Sequence, residues 1–453
     1  MLKKLRLENF KNFKNAELYL DSFTILIGTN ASGKSNIRDA LRFLHGISRG
    51  YNLAEIMGEK YVEGGVLQWR GIRGGTKEAS FQGNNFGLEV TFSIPDYSQE
   101  KETEQEAIYE IEVNLGSDNQ PPNIMTERLT FTGESESLIE AKLQVEKETK
   151  NLIVKVYNQP YQNPLIPLSF HQPILSQMAQ ITNVPIVEGY IRPSLSREKL
   201  KAALQELDLP VGEEYILTTS LRDKLKFTLQ AFSNMRFLDI NPEVIRLPSF
   251  PGQNVLGDRG ENLSSVLLDI CQNTQKKETL LEWIRELTPM DAKDFEFPTD
   301  FTGKTLLTLV EENGQKISAY SASDGTLRFL AIIAALLGSE SAQFYFFEEL
   351  DNGIHPTRLH FLLQLIESQA SQGKIQIIAT THSSQLLRLV SDRTLEAVSL
   401  IYRLENRSDA KIIRVLDIPD APRILNEQSL AHLHESAWLE NVMEFISDDE
   451  VDE

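Results

Sequence analysis

The sequence predicts a mixed α/β fold: a β-sheet flanked by helices, with a β-rich lobe and an inserted helical lobe, and no long coiled coil. Three observations predict it. An apolar strand, Phe23–Ile27, runs directly into a glycine-containing loop, and Ser35–Leu44 follows with a helical pattern. From Lys304 onward α/β patterning returns, with strands near Leu306–Glu311, Phe344–Phe347 and Ile375–Ala379 separated by helices Thr326–Leu337 and Pro356–Gln372. Between these two ends, the stretch from Phe86 to about Tyr157 alternates apolar and polar residues in short runs, as antiparallel strands do. The two ends are therefore expected to form one core sheet into which the middle of the chain is inserted.

Taken in order, the opening LRLENFKNFKNAELYL alternates and reads as a hairpin around Asn12. After the β-rich stretch, prolines at 160, 164, 167, 173 and 185 mark a loop-rich crossing. Glu198–Leu207, Thr219–Phe232, Leu263–Gln272 and Thr279–Leu287 then read as helices. No apolar heptad persists for the three or four repeats that a long coiled coil requires, and no internal repeat is found. The final SDDEVDE reads as a solvated acidic tail. The expected division is 1–50 for the first half of the core, 51–160 for the β-rich lobe, 161–300 for the helical lobe, 301–420 for the second half of the core, and 421–453 for a C-terminal helix and tail.

Composition narrows the classes. At about 150 residues per domain, 453 residues suggest two or three units, and 41% hydrophobic with 24% charged residues excludes wholesale disorder. The longest apolar run, Phe329–Leu337, is far short of the roughly 18 residues a membrane helix needs, and MLKKLRLENF has no apolar signal core. A cytoplasmic protein with no membrane partner is expected. Cys271, the single cysteine, excludes intrachain disulfides and zinc sites built on paired cysteines, which fits a reducing compartment. Forty-five Lys+Arg against 65 Asp+Glu give a net charge of −20, which disfavours an all-round nucleic-acid coat while leaving room for a local basic groove.

Gly28-Thr29-Asn30-Ala31-Ser32-Gly33-Lys34-Ser35 matches G-x-x-x-x-G-K-[ST] between a strand and a helix, the context this motif needs. Glycines let the backbone curl its N–H groups around a phosphate, while Lys34 reaches the β and γ oxygens and the Ser35 hydroxyl ligates Mg²⁺. Gly28, Asn30, Ser32, Gly33, Lys34, Ser35 and Asn36 are therefore the candidate nucleotide-binding residues, with ATP and Mg²⁺ as ligands.

Phe344–Phe347 is an apolar strand ending in Glu348-Glu349, and α/β sheets present ligand-binding groups at such strand ends. Glu348 would belong to the Mg²⁺ shell, while Glu349 would orient and deprotonate the attacking water. Taken alone, the pair reads equally well as exposed acids. The turn Ser321-Ala322-Ser323-Asp324-Gly325-Thr326 precedes an apolar helix and offers a second anion site at a helix N-terminus. The blander reading is a helix cap at Ser323 or Asp324. His382, in Thr380-Thr381-His382-Ser383 at the end of a strand, could sense a γ-phosphate, although a lone histidine there is more often structural. The 314 residues from Lys34 to Glu348 (348 − 34) imply that the nucleotide-binding core is split by an insertion.

Together these segments resemble the ABC-class ATPases of the RecF and SMC type. Within that class they are similar to the short prokaryotic AAA family ATPases akin to the ATPase half of OLD-family nucleases. The resemblance covers Leu2–Leu44 and about Leu256–Leu387 through LRLENFKNF, GTNASGKSN, GDRGENLSSVL, SASDGTLRFLA, FFEELDNGIHP and TTHSSQLL. It implies an ABC-type P-loop ATPase head, with Gly28–Ser35 as the Walker A loop and Ser323-Asp324-Gly325-Thr326 as the signature motif. Glu348 and Glu349 would be the Walker B and catalytic acids, Asp351-Asn352 the D-loop, and His382 the switch histidine. Glu348 stands where many relatives have Asp, Leu350 where Pro is usual, and Asp-Gly-Thr where others have Gly-Gly-Gln. Gln172 and Gln177 are the candidates for a Q-loop glutamine.

The resemblance further implies a homodimer closed by sandwiched ATP, or a higher assembly of such dimers, acting on double-stranded DNA or on a partner effector such as a nuclease or TOPRIM-like protein. Phage defence and DNA repair are the implied settings. A self-contained nuclease is the alternative, but 453 − 382 leaves 71 residues after His382, too few for a catalytic domain of roughly 100 residues. Asp291-Ala292-Lys293 reads as an exposed loop and not as a nuclease motif. A transporter ATPase subunit fits less well, because the core of such subunits is compact.

Overall fold

The computed structural model describes residues 1–62, 66–96, 103–117, 120–134, 136–146, 149–156, 168–180, 219–287, 291–338, 342–405 and 407–449. The chain divides into two compact units, Met1–Leu18 with Asp39–Ser233 and Tyr19–Arg38 with Asn234–Glu453.

The first unit carries a sheet of seven strands: β1 (Leu2–Phe10), β2 (Phe13–Tyr19), β6 (Asn85–Asp96), β7 (Thr103–Asn114), β8 (Asn123–Phe131), β9 (Ile139–Glu146) and β10 (Thr149–Val156). Their order is β10-β9-β8-β7-β6-β1-β2. β4 (Lys60–Val62) and β5 (Val66–Trp69) form a separate ribbon. Alternation in the sequence becomes a buried face. Phe86, Leu88, Val90 and Phe92 of β6 stand opposite Val113, Ile111, Tyr109 and Ala107 of β7, and all eight are buried. The helix Thr219–Ser233 lies over this face, with Phe232 edge-on to Phe92 at 5.2 Å. The opening hairpin turns through Lys11, whose backbone is left-handed at φ 56°.

The second unit is built on β3 (Phe23–Ile27), β11 (Met235–Leu238), β15 (Phe344–Phe347), β16 (Gln376–Thr380), β17 (Val398–Arg403) and β18 (Ala410–Arg414), in the order β11-β15-β16-β3-β17-β18. All are parallel except β18. β3, β15 and β16 are buried at every residue, which is why their sequences are mostly apolar, Thr24, Gln376 and Thr380 apart, and do not alternate. A smaller antiparallel sheet holds β12 (Ala292–Glu296), β13 (Thr308–Glu311) and β14 (Lys316–Ser318). Leu327, Leu330 and Ile333 of the helix Asp324–Leu337 share a core with Leu263 and Leu267 of the helix Leu263–Gln272 and with Leu359 and Leu362 of the helix Pro356–Ser371. Among the described residues the longest helix has 16 residues, and none is long and apolar enough to cross a membrane.

The sheet joins the two ends of the sequence, as expected: β3 lies between β16 and β17. The helices expected from Thr219, Leu263 and Thr279 are present, the last beginning earlier, at Thr274. The expected helix Glu198–Leu207, the prolines at 160, 164, 167 and 185, and residues 450–453 lie outside the described residues. Two local readings change. Asp291-Ala292-Lys293 leads into β12 and is not a loop, since Ala292 and Phe295 point into the core. The acidic tail is helical at its start, because Ser447–Asp449 continue the helix Trp438–Asp449. β11, in the middle of the expected helical lobe, is a strand of four residues, too short to carry a periodic signal.

Candidate functional site

The parallel register aligns the ends of three strands in the second unit: Phe347 pairs with Ala379, and Ala379 with Ile25. Each strand is followed by one of the motifs. After β3, the backbone at Gly28 has φ 139°, and a Cβ there would lie 2.0 Å from the Ile401 carbonyl oxygen of β17, so only glycine fits. Gly33 at φ 126° and Ala31 at φ 62° complete the curl. The N–H of Asn36 donates to the Gly33 carbonyl at 2.9 Å as the helix Lys34–Ser48 begins. Thr29 and Asn30 are exposed, Ser32 is buried, and Ser35 and Asn36 are half-buried.

Lys34 is 8% exposed, and its ammonium donates to the carbonyls of Gly28 at 2.7 Å and Thr29 at 2.9 Å. Burial pushes this ammonium down to about 8, against the pull of Glu349 and Glu440, which favour the charged form.

After β15, Glu348 donates its N–H to Leu238 of β11 at 2.9 Å, and its carboxylate pairs with Arg38. Arg38 stands one helical turn beyond Lys34. Glu349 is exposed and left-handed at φ 48°, an unusual backbone for a residue other than glycine. Two contacts hold it: its N–H donates to Thr380 Oγ1 at 2.9 Å, and its Oε2 accepts from Asn352 Nδ2 at 2.9 Å. Asp351 Oδ1 accepts from Thr381 Oγ1 at 2.5 Å. The end of β16 thus fixes the loop that follows β15.

His382 comes next on that strand end. Partial burial holds its imidazole below the ordinary value, and the charges of Lys34 and His434 push the same way against Glu349 and Asp351. Lys34, Glu349, Asp351 and His382 therefore form one electrostatic cluster.

At the turn before the helix Asp324–Leu337, Ser323 is the N-cap: its Oγ accepts from the Thr326 N–H at 3.2 Å and lies 2.8 Å from Thr326 Oγ1. Ser323 and Asp324 are exposed. Arg246 ties the turn down by donating to the carbonyls of Ala319, Tyr320 and Ala322 at 3.0, 3.1 and 2.7 Å and by pairing with Asp324. A Cβ on Gly325 would lie 2.3 Å from the Gly353 carbonyl, so this glycine lets the helix start abut the loop after β15.

Gln172 and Gln177 are committed within the first unit. Gln172 donates to the Gly50 carbonyl at 2.9 Å, while Gln177 accepts from the Ser169 N–H at 2.9 Å and donates to the Ser169 and Gln172 carbonyls at 2.7 and 2.6 Å. Motif reading alone does not find Arg38, Arg246 or Glu440, and it gives Thr380, which lies in the His382 motif, no role of its own. The spacing of four from Lys34 is a usable signal for Arg38, while Arg246 lies in no motif.

The family described as "AAA domain, putative AbiEii toxin, Type IV TA system" matches residues 23–388. The chain is 22% identical over 404 residues to the "ATP/GTP phosphatase" of Helicobacter pylori (strain ATCC 700392 / 26695), covering 86% of this chain and 87% of that one. Among solved structures, it is similar to the Smc head bound to the C-winged helix domain of ScpA, at 14% identity and a TM-score of 0.44, covering 91% of this chain and 97% of that one. It is also similar to the SMC head domain from Thermotoga maritima, at 11% identity and a TM-score of 0.40, covering 91% and 98%. The family match spans most of the sequence and runs from β3 past His382. The chain therefore belongs to this AAA-domain family and is one of its ATPases.

Proposed function

We propose that the protein is a nucleotide-driven switch: ATP on the phosphate loop of one subunit is completed by the Ser323 turn of a second, closing a head-to-head dimer that hydrolysis reopens. The observation that carries this reading is the clustering of Lys34, Glu349, Asp351 and His382 at the aligned ends of three parallel strands. Lys34 rests on two neutral carbonyls and would exchange them for the β and γ oxygens of ATP, stronger acceptors for a cation. Gly28, Asn30, Ser32, Gly33 and Asn36 supply the surrounding loop and helix start.

Glu349 is the base. Thr380 fixes its backbone and Asn352 its carboxylate, so the proton acceptor is oriented before a water arrives. His382, held below its ordinary value, is neutral at pH 7 and available to hydrogen-bond a γ-phosphate. Ser35 and Glu348 are hard oxygen donors of the kind Mg²⁺ takes. No group of three or more His, Cys, Asp or Glu among the described residues could hold an ion alone, which suits a metal bound together with phosphates and water. Bound Mg²⁺ would neutralise charge on the β and γ oxygens. Arg38 pairs with the Glu348 carboxylate and orients it for that role.

Ser323 and Gly325 stand at the N-terminus of a 14-residue helix, where exposed N–H groups and the helix dipole favour an anion from a second copy. Asp351, beside them in the loop after β15, would line the same junction. Closure then acts on double-stranded DNA or on a partner nuclease or TOPRIM-like effector, in phage defence or DNA repair. This coupling rests on the resemblance carried by the two ends of the chain. Light scattering tests the sandwich: Ser323→Arg should bind ATP as a monomer yet fail to dimerise, and an unchanged ATP-dependent dimer would contradict it. A rise in ATPase rate with double-stranded DNA would favour DNA as the object of closure over a protein effector.

A further inference from the structure

Arg328 is the only cation of the helix Asp324–Leu337 and has no role in the site described above. Leu327, Phe329 and Leu330 beside it are buried in the core, so the backbone there is fixed, and Arg328 leaves it half-buried. The i, i+4 spacing from Asp324 puts Asp324, Gly325 and Arg328 on one face of the helix. That face meets Gly353, in the loop after β15. A Cβ on Gly353 would lie 3.4 Å from Arg328 Cδ, 3.6 Å from its Nε and 3.9 Å from the Gly325 nitrogen. The Arg328 stem therefore runs back toward the helix start and lies along the Gly353 backbone. Among the described residues its guanidinium has no hydrogen bond or ion pair, so packing and not charge holds it there.

Directly before Gly353 stands Asn352, whose Nδ2 donates to the Glu349 carboxylate at 2.9 Å and whose N–H donates to the Glu349 carbonyl at 3.0 Å. Asn352 and Gly353 are exposed, while Leu350 and Ile354 on either side of them are buried. The core thus pins the ends of the loop and leaves its tip to be held from outside. Gly353 is left-handed at φ 74° and Glu349 at φ 48°, and a residue other than glycine keeps such a backbone only where its surroundings over-determine it. The helix face carrying Gly325 and Arg328 is what the fold sets against that tip.

We propose that Arg328 is a positioning residue for Glu349: its stem, laid along Gly353, keeps the loop tip closed so that Asn352 stays within reach of the Glu349 carboxylate. This role rests on Glu349 being the base. Arg328 acts through Gly353 and Asn352, not on the reacting atoms. A base that drifts from the attacking water loses rate steeply, since a misplacement of about 1 Å can cost about 100-fold. Because Ser323 and Arg328 belong to one helix start, a second copy docking on the Ser323 turn would press on the same joint, and the base of each subunit would respond to closure.

The test is single-turnover ATP hydrolysis by the full chain, with calorimetric titration of magnesium AMP-PNP, for wild type, Arg328→Ala, Arg328→Met, Asn352→Ala, the double variant of Arg328→Ala with Asn352→Ala, and Glu349→Gln. Arg328→Ala should slow the chemical step about tenfold or more while binding AMP-PNP within about twofold of wild type. Arg328→Met, which keeps the stem without the charge, should recover most of the rate. The double variant should be no slower than Asn352→Ala alone, because both substitutions break one chain of contacts. A full rate in Arg328→Ala, weakened AMP-PNP binding in it, an Arg328→Met protein as slow as Arg328→Ala, or additive losses in the double variant would each overturn the positioning role and leave Glu349 as the base. A Glu349→Gln protein that hydrolyses ATP at the wild-type rate would overturn both.

Discussion

At the scale of single residues, Lys34 and Glu127 illustrate two uses of burial. Burial lowers the Lys34 ammonium to about 8 but leaves it facing acceptors, so the cation is poorly solvated and ready to take up an anion. Lys34→Ala should weaken ATP binding by about 10- to 100-fold or more, as loss of a charged hydrogen-bond donor predicts, and a binding titration checks it. Glu127 is wholly buried in the first unit, where it accepts from Tyr109 Oη at 2.9 Å and from the N–H groups of Ile174 and Leu175 at 2.6 and 2.7 Å. It thereby caps the helix Ile174–Gln180 from strand β8. Glu127→Ala would strand three buried donors and should cost about 3–5 kcal/mol in urea unfolding. Burial also raises the Glu127 carboxyl to about 7, against the three hydrogen bonds. The folded state therefore takes up this proton before the unfolded chain does. Its contribution to stability should grow as pH falls from about 7 toward the ordinary 4.5, and the difference in stability between wild type and Glu127→Gln should follow that slope. A difference that stays flat with pH would contradict the raised value.

At the scale of elements, the turn Ser323–Thr326 is a joint between a helix start and the loop after β15, and its parts differ in how legible they are. Ser323 as a cap before an apolar helix is readable from the sequence, since Ser followed by a helical run is a local signal. The need for Gly325 is only partly readable: the sequence shows a glycine at a helix start, while its reason, the Gly353 carbonyl 2.3 Å from where a Cβ would sit, depends on the loop after β15. Arg246 is not readable at all, because a contact 73 to 78 residues away leaves no periodic trace. Gly325→Ala should force helix start and loop apart and destabilise the second unit by about 1–3 kcal/mol, measurable by thermal melting. Arg246→Ala should leave three carbonyls without their donor and impair any function of the turn before it impairs binding at Lys34. The same contrast governs the sheet. β3, β15 and β16 were legible as apolar runs bounded by motifs, whereas β11 and the short β14 take their strand identity from neighbours that only the tertiary structure supplies.

At the scale of the whole molecule, the fold gathers distant parts of one sequence into a single cluster of charged and polar groups. The phosphate loop and the acidic strand end are separated by 314 residues, yet β3 and β15 share a sheet with only β16 between them. That strand contributes Thr380 to hold Glu349, Thr381 to hold Asp351, and His382 to the cluster itself. In the proposed function, Glu349 is the base and Glu348 the acid of the Mg²⁺ shell. Single-turnover hydrolysis, with sizing in ATP and Mg²⁺, tests it most directly. Glu349→Gln should bind ATP, slow the chemical step by the roughly 10²–10⁴-fold typical of a lost general base, and accumulate as a closed dimer, whereas Glu348→Gln should lose Mg²⁺-dependent binding and trap nothing. Normal turnover in Glu349→Gln together with a trapped dimer in Glu348→Gln would contradict this assignment of the two carboxylates.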